Sequence, residues 1–389
     1  MEEITKLREG LNRARAELNI LYEISNAMRT TLKLDEILYI ILTGVTAHAG
    51  LGFNRAMLFL VNEKNGLIEG RMGIGPDTGE EAYRIWKQID QQRMDLDDLV
   101  SVFKISKSML DSQFNQQVKC LKLPLKENNN LLSLAVLEGM PLHLTPETIG
   151  NYQSDPLLEI LKTQEAAIVP LRAKDKVNGV VIADNLFTKR PISQDSLRML
   201  IMLSNQAGLA IENSQLYEQA ILRSNTDSLT GLWNHGYFHH LLHTEIEKTK
   251  INKSKLSLIM LDMDYFKIYN DKLGHQAGDK ILKELADLLS DYSRKMDWVA
   301  RYGGEEFAII LPQTNKKEAL VLGERLRQII EQYRFPREEI LPEKKLTASL
   351  GIVTFPDDAE MSSTLITAAD KRLYIAKGKG RNIVCGEES

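Results

Sequence analysis

The sequence predicts a two-domain protein of the α/β (α+β) class, its domains joined by coiled-coil helices, and three observations carry that expectation. The 389 residues are too many for one ordinary core and suggest two domains plus connecting helices. Apolar or small residues recur at three-four spacing in two stretches, one at the N-terminus and one near mid-chain, as along a helical seam. Short apolar, β-favouring runs separated by turn formers lie between the two seams and again after the second.

The first seam, Ile4, Leu7, Leu11, Ala14, Leu18, Leu21, Ser25 and Met28, reads as a coiled-coil helix, or else as an amphipathic helix packed on its own domain. Arg55 to Val61 and Leu67 to Met72 read as strands around the turn NEKNG, and Ala167 to Leu171 and Gly179 to Ala183 as a second pair around KDKVN. Residues 76–165 are mostly polar and helix-compatible, broken into short pieces by Pro141, Pro146 and Pro156. The second seam runs through Leu200, Leu203, Ala207, Ala210, Ser214, Tyr217 and Ile221. Its neighbours Leu209, Ile211 and Leu216 are also apolar, so this helix is expected to pack inward early and to dimerise later. Beyond it, the continuous apolar run Leu256 to Leu261 reads as a strand buried on both faces and ends in Asp262-Met263-Asp264. Trp298 to Tyr302 and Phe307 to Leu311 flank Gly303-Gly304 as the arms of a hairpin.

Charge and cysteine usage narrow the partners. With 49 basic and 53 acidic side chains and a formal charge of -4, neither nucleic acid nor an anionic membrane surface is expected as a partner. Cys120 and Cys385 have no disulfide or zinc-ligand spacing, which points to a reducing compartment. The opening MEEITKLREGLNRARAELN is charged throughout and lacks a signal-peptide core, and no run of about 18 apolar residues follows, so a soluble, cytoplasmic protein is expected.

Should the hairpin pair beside the strand ending at Asp262, then Asp262 and Glu305 converge on a divalent cation, whose hard charge wants oxygen ligands and phosphate co-ligands. Glycines at the tip let a nucleotide approach the backbone. Alone, a Gly-Gly turn with two acidic neighbours is ordinarily a solvated hairpin. The conjunction is different: DSLTGLWN, LDMDYFKIYND, LGHQAGD, RYGGEEF and ADKRLYIAKGKGRN follow one another over residues 225–385. In this order and spacing, the segment closely resembles the GGDEF family of diguanylate cyclases.

That resemblance implies a ferredoxin-like, nucleotidyl-cyclase-like domain that condenses two GTP into cyclic di-GMP, a bacterial second messenger, with release of two pyrophosphates. It implies Asp262, Glu305 and the main-chain carbonyl of Met263 as ligands of two Mg2+ per half-site, with Mn2+ as an alternative. Glu305 and Glu306 become the catalytic carboxylates. Asn270 and Asp279 become the guanine-recognising pair, with His275 in the same loop and Gly303 and Gly304 against the nucleotide. Lys377 and Arg381 become holders of the terminal phosphates, with Phe266 and Lys267 supplying backbone and charge beside them. Since each domain holds one GTP, a homodimer is implied, and the second seam gains a purpose as its linker. Arg294 and Asp297, with Arg325 reaching toward them, occupy the family's site for inhibition by the product. Where the family usually has arginines, this chain has His235 and Gly236. His235, His239 and His243 then recur at spacings of four, read as an exposed face or as metal ligands.

Residues 30–215 resemble a GAF domain, on an apolar strand ending in Pro170-Leu171, a hairpin, Gly179-Val-Val-Ile-Ala-Asp184 and a long helix. The resemblance implies a sensor for a small ligand that the residues do not name. Cys120 as a bilin attachment point, and His48 or His143 as haem ligands, are weighed against ordinary structural roles and set aside. The expected map is an N-terminal coiled-coil helix over 1–33, a GAF-like sensor domain over 34–196, a signalling and dimerisation helix over 197–226 and the GGDEF domain over 227–389. Two alternatives stand beside the cyclase: a catalytically silent receptor for GTP or cyclic di-GMP, and a synthase of a mixed guanine-adenine dinucleotide.

Overall fold

The computed structural model describes residues 2–47, 50–92, 98, 112–126 and 130–387. The chain divides into two compact units, residues 1–218 and 219–389.

In the first unit, helices α1 (Glu2–Arg29) and α2 (Leu34–Thr46) precede strands β1 (Arg55–Asn62) and β2 (Leu67–Ile74). Helix α3 (Gly79–Gln92), α4 (Gln113–Cys120), β3 (Lys122–Pro124), α5 (Leu131–Glu138), β4 (Leu142–Leu144) and α6 (Leu157–Leu161) follow. Strands β5 (Ala166–Ala173) and β6 (Lys176–Asp184) lead into the long helix α7 (Gln194–Asn225). The six strands form one antiparallel sheet in the order β3-β2-β1-β6-β5-β4. Alternate side chains of a strand face opposite ways, and here both faces are covered. Ala56, Leu58, Val169, Val181 and Ala183 join the core under α1, α2 and α7. Met57, Phe59, Ile168, Val180 and Ile182 join a second core under α4, α5 and α6. Both expected hairpins are present. The short strands β3 and β4 lie inside the stretch read as helical, because three residues are too few to display an alternating pattern.

Of the first seam, Leu21 and Met28 sit in the core of the first unit, joined there by Ile24 and Ala27 from outside the seam, whereas Leu11 and Leu18 are exposed; the side chains of Ile4, Leu7 and Ala14 lie outside the described residues. The second seam behaves as expected at its start, with Leu200, Leu203, Ala207 and Ile211 in that same core. Further along α7, Leu209, Leu216, Tyr217, Ile221 and Leu222 are exposed. Where β1 begins and β6 ends, in the middle of the sheet, the guanidinium of Arg55 meets Asp184 at 2.7 Å and lies over the Phe114 ring. His143 Nε2 lies 2.9 Å from Glu165 Oε1, Cys120 is exposed, and His48 lies outside the described residues.

The second unit begins with the end of α7 and contains α8 (His235–Asn252), β7 (Leu256–Met263), α9 (Phe266–Leu273), α10 (His275–Asp291), β8 (Trp298–Arg301) and β9 (Glu306–Pro312). Helix α11 (Lys316–Gln332), β10 (Ala348–Phe355), α12 (Ser362–Gly378) and β11 (Val384–Cys385) complete it. The sheet order β11-β10-β7-β9-β8 places the four main strands as fourth, first, third and second, the ferredoxin-like arrangement of a β-α-β-β-α-β chain. Only β11 runs parallel to its neighbour. Every residue of β7 is buried, since α9, α10 and α11 cover one face and α8 and α12 the other. Among the described residues no helix is long and apolar enough to cross a membrane.

One buried charge cluster fastens this unit. Asp358 accepts from Arg372 Nη2 at 2.7 Å, from the Thr354 amide at 2.6 Å and from Lys316, tying β10 to α12 and to the start of α11. Burial alone would raise the Asp358 pKa, but these hydrogen bonds overrule it and hold the carboxyl well below the usual range. A depressed pKa adds stability above the unfolded value that is lost as pH falls through the folded one. Asp358→Asn is therefore expected to cost about 3 kcal/mol at neutral pH, because it strands the buried Arg372. Paired urea titrations should show that difference shrinking toward strongly acidic pH.

Candidate active site

The site forms where the central strand ends. Asp262, 4 % exposed, lies opposite Glu306 on β9 and Ser349 on β10. The hairpin turn is tight: the amides of Tyr302 and Gly303 both donate to the Glu306 carbonyl, at 2.8 and 3.1 Å. A side chain at Gly303 would collide with the Glu306 carboxylate, its Cβ falling 2.3 Å from Oε2. The Met263 amide donates to the Glu305 carbonyl at 3.3 Å, which fixes the hairpin tip beside the end of β7. Asp262, Glu305 and Glu306 are thereby brought to one place, as the pairing expectation required.

Their electrostatics follow from crowding. Burial raises the Asp262 pKa, and the charges of Glu306 and Asp264 add to it, against Lys377. Burial also raises the Glu305 pKa, reinforced by Asp262 and Glu306 and opposed by Lys377 and Lys267. Lys377 Nζ rests 2.8 Å from Asp262 Oδ2, so this lysine, expected at the terminal phosphates, is the counter-ion of the leading carboxylate. A buried carboxylate and its half-buried neighbours, repelling one another beside one lysine, fit a hard divalent cation. Among the described residues no three His, Cys, Asp or Glu side chains group closely enough to hold a metal unaided. The remaining ligands would come from backbone, phosphate and water.

Beside this cluster, α9 and α10 are separated only by Gly274, whose φ of 83° lets the chain reverse between them. The buried Asn270 Oδ1 has no hydrogen-bond partner, and it lies 1.9 Å from where a Cβ on Gly278 would sit. An acceptor aimed into a space that glycine keeps open suits a ligand's N–H donors. His275 opens α10 and Asp279 follows one turn later, both exposed. Phe266 and Tyr269 are core residues with stacked rings, which leaves Phe266 only its backbone to offer, while Lys267 is exposed.

The loop after α12 carries Arg381. Its guanidinium lies over the Tyr265 ring at 4.7 Å, and Arg381, Asn382 and Tyr265 all adopt left-handed backbone, with φ of 66°, 51° and 62°. What holds that loop is a residue the sequence reading passed over. Asp264, 1 % exposed, accepts from Thr347 Oγ1 and Ser349 Oγ at 2.8 Å and from the Asn382 amide at 2.9 Å. The Asn382 side chain continues the network to Arg327 and Glu331 on α11. A second aspartate two residues after Asp262 was the available signal. Its partners, 83 to 118 residues away in the chain, were not legible.

Arg294 and Asp297 sit apart from these groups on the turn between α10 and β8, where the Arg294 amide donates to Asp297 Oδ2 at 2.8 Å. Burial raises the Asp297 pKa, against the charges of Arg294 and Arg325, and its Oδ1 is buried without a partner. Arg325 on α11 donates to the Tyr292 carbonyl at 2.9 Å. All three expected residues therefore share one electrostatic neighbourhood.

Comparison with known proteins agrees with this arrangement. Residues 224–383 match the family model described as diguanylate cyclase, GGDEF domain, and residues 33–211 match that of the GAF domain. The chain thus carries a GAF domain followed by a GGDEF domain. Diguanylate cyclase A of Treponema denticola is 32% identical over 248 residues, covering 62% of this chain and 65% of that protein. The response regulator PleD of Caulobacter vibrioides is 35% identical over 162 residues, covering 42% of this chain and 36% of that protein. This chain thus spans less than two thirds of either relative's length. Among solved structures, the coiled coil and GGDEF domain of DgcB from Caulobacter crescentus, in complex with c-di-GMP, shares 27% identity, with coverage of 48% of this chain and 97% of that one and a TM-score of 0.44.

Proposed function

We propose that the protein is a diguanylate cyclase that condenses two GTP into cyclic di-GMP and two pyrophosphates. The observation that carries this reading is the carboxylate cluster at the end of β7 with Lys377 as its counter-ion, together with the unpartnered buried acceptor of Asn270 and the Arg381 guanidinium over Tyr265. The matched family and the name of the Treponema relative support it. Two Mg2+, or Mn2+ in their place, would be held by Asp262, Glu305 and the Met263 carbonyl, neutralising the leaving pyrophosphate and acidifying the attacking hydroxyl.

The chain's own residues do the rest. Asn270 and Asp279 take the donors of a guanine edge, a pattern adenine does not offer, which selects GTP. Lys377, which neutralises Asp262 in the protein alone, would serve the terminal phosphates together with Arg381 when a cation is held at Asp262. Glu305 accepts the proton of a ribose 3′-hydroxyl as that oxygen attacks the α-phosphorus of the facing GTP and the α–β P–O bond breaks. Glu306 would add a further carboxylate beside the bound ions. Two bonds need two half-sites, so the working unit is a homodimer, and the exposed apolar residues of α7 supply its seam. The GAF domain senses a small ligand, and product docking at Arg294, Asp297 and Arg325 inhibits.

Purified protein incubated with Mg2+ and GTP, ATP or both, with products identified by mass, tests the reading. Cyclic di-GMP from GTP alone supports it. Absence of any dinucleotide after bound product has been stripped and the chains artificially dimerised overturns it, and a mixed dinucleotide overturns the use of Asp279 as the base selector. In the same assay Asp264→Asn is expected to raise KM for GTP about tenfold with a smaller change in kcat, since weakening charge-assisted hydrogen bonds loosens the Arg381 loop, while its effect on the carboxylates is confined to easing the repulsion on Asp262. An unchanged KM would remove Asp264 from the phosphate side of the site.

A further inference from the structure

Two histidines of α8 face each other in a way that the cyclase chemistry does not use. His235 is the first residue of the helix and His239 follows one turn later, so the two side chains share a helix edge. Their Nε2 atoms lie 3.3 Å apart, with rings nearly perpendicular at a centroid distance of 4.6 Å. The Tyr302 ring backs both, at 4.7 Å from His235 and 6.0 Å from His239. Two nitrogens bound to one tetrahedral Zn2+ at about 2.0–2.1 Å lie about 3.3–3.4 Å from each other. Burial and the neighbouring His235 both hold His239 toward its neutral form, the form that ligates.

We propose that His235 and His239 form a site for a divalent transition cation of the zinc, copper and nickel class, separate from the Mg2+ centre. Imidazole pairs favour such borderline ions, whereas magnesium wants oxygen ligands. Two protein ligands leave the other coordination positions to water, which makes the site exchangeable rather than structural. Its placement gives it leverage. Asn234, just before His235, caps α8 at the Tyr237 amide and donates to the Ser224 carbonyl at 2.6 Å at the end of α7. Tyr302 is the residue immediately before Gly303-Gly304, and its amide closes the hairpin turn. An ion on the pair therefore staples the first turn of α8 at the junction of the linker helix and the catalytic hairpin.

The test uses the full chain and zinc chloride, by calorimetric titration in excess Mg2+ and by thermal unfolding with and without zinc. The expected result is one zinc per chain whose affinity falls at least about tenfold in His235→Ala and in His239→Ala, with the zinc-induced rise in Tm lost in both. His243→Ala should bind as the parent does, because His243 takes no part in the 3.3 Å contact. Zinc binding that is equal in the parent and in the His235→Ala/His239→Ala double variant, or absent from the parent, overturns the proposal and leaves the pair as an imidazole–imidazole hydrogen bond. Loss of binding in His243→Ala to the same extent also overturns it. Unfolding of the zinc-free variants at the parental Tm excludes misfolding as the cause of a loss.

Discussion

Glu305→Gln should abolish dinucleotide synthesis, lowering kcat by about 10³-fold or more, while leaving the metal-free protein at least as stable as the parent. The two halves of this expectation have one cause. Glu305 is crowded by Asp262 and Glu306, and burial together with those charges raises its pKa. A carboxyl whose folded pKa lies above its unfolded one binds protons more readily in the native state, so it subtracts stability as pH rises through and beyond the ordinary carboxylate range. Gln removes that repulsion and also removes the proton acceptor and a cation ligand. Thermal unfolding should therefore show an equal or higher Tm for the variant without magnesium, and a smaller rise in Tm when magnesium and GTP are added. The parent's magnesium-dependent stabilisation should grow from pH 5 to pH 8 as its carboxylates ionise. A variant that retains substantial synthesis would mean that Glu306 or Asp262 carries the chemistry.

How far the sequence reached depended on the range of the interaction. The β7 run and the hairpin around Gly303-Gly304 were legible because burial on both faces and a turn are local patterns, and their adjacency followed once the carboxylates needed a common cation. The GAF-like sheet was legible in its two hairpins but not at its edges, where β3 and β4 hold three residues each. Helix α1 showed a seam without showing that its later members, Leu21 and Met28, spend it on the core of the first unit. The site residues came through resemblance, one position at a time. What resemblance could not supply was their company: Lys377 resting on Asp262, and Asp264 accepting from the Asn382 amide. Both are contacts between distant segments of one chain, and no spacing rule encodes them.

The base site offers the second large effect, and it comes from a residue with no side chain. In Gly278→Ala the new Cβ would fall 1.9 Å from Asn270 Oδ1, 2.9 Å from its Cγ and 3.0 Å from the Phe266 ring. Phe266 is 3 % exposed and stacked on Tyr269, so it cannot retreat. Asn270 must therefore swing away, and its Oδ1, now buried and waiting, no longer meets the base. Leaving one such acceptor unmet costs about 1–3 kcal/mol, which corresponds to a loss of about ten- to a hundredfold in kcat/KM for GTP. Steady-state kinetics should show the loss mainly in KM, since the carboxylates at the end of β7 are untouched. Asn270→Ala should cost a similar amount. The double variant should cost little more than either single one, because both changes delete the same contact. Additive losses would mean that Gly278 serves the packing of α10 on α9 and that guanine is recognised elsewhere.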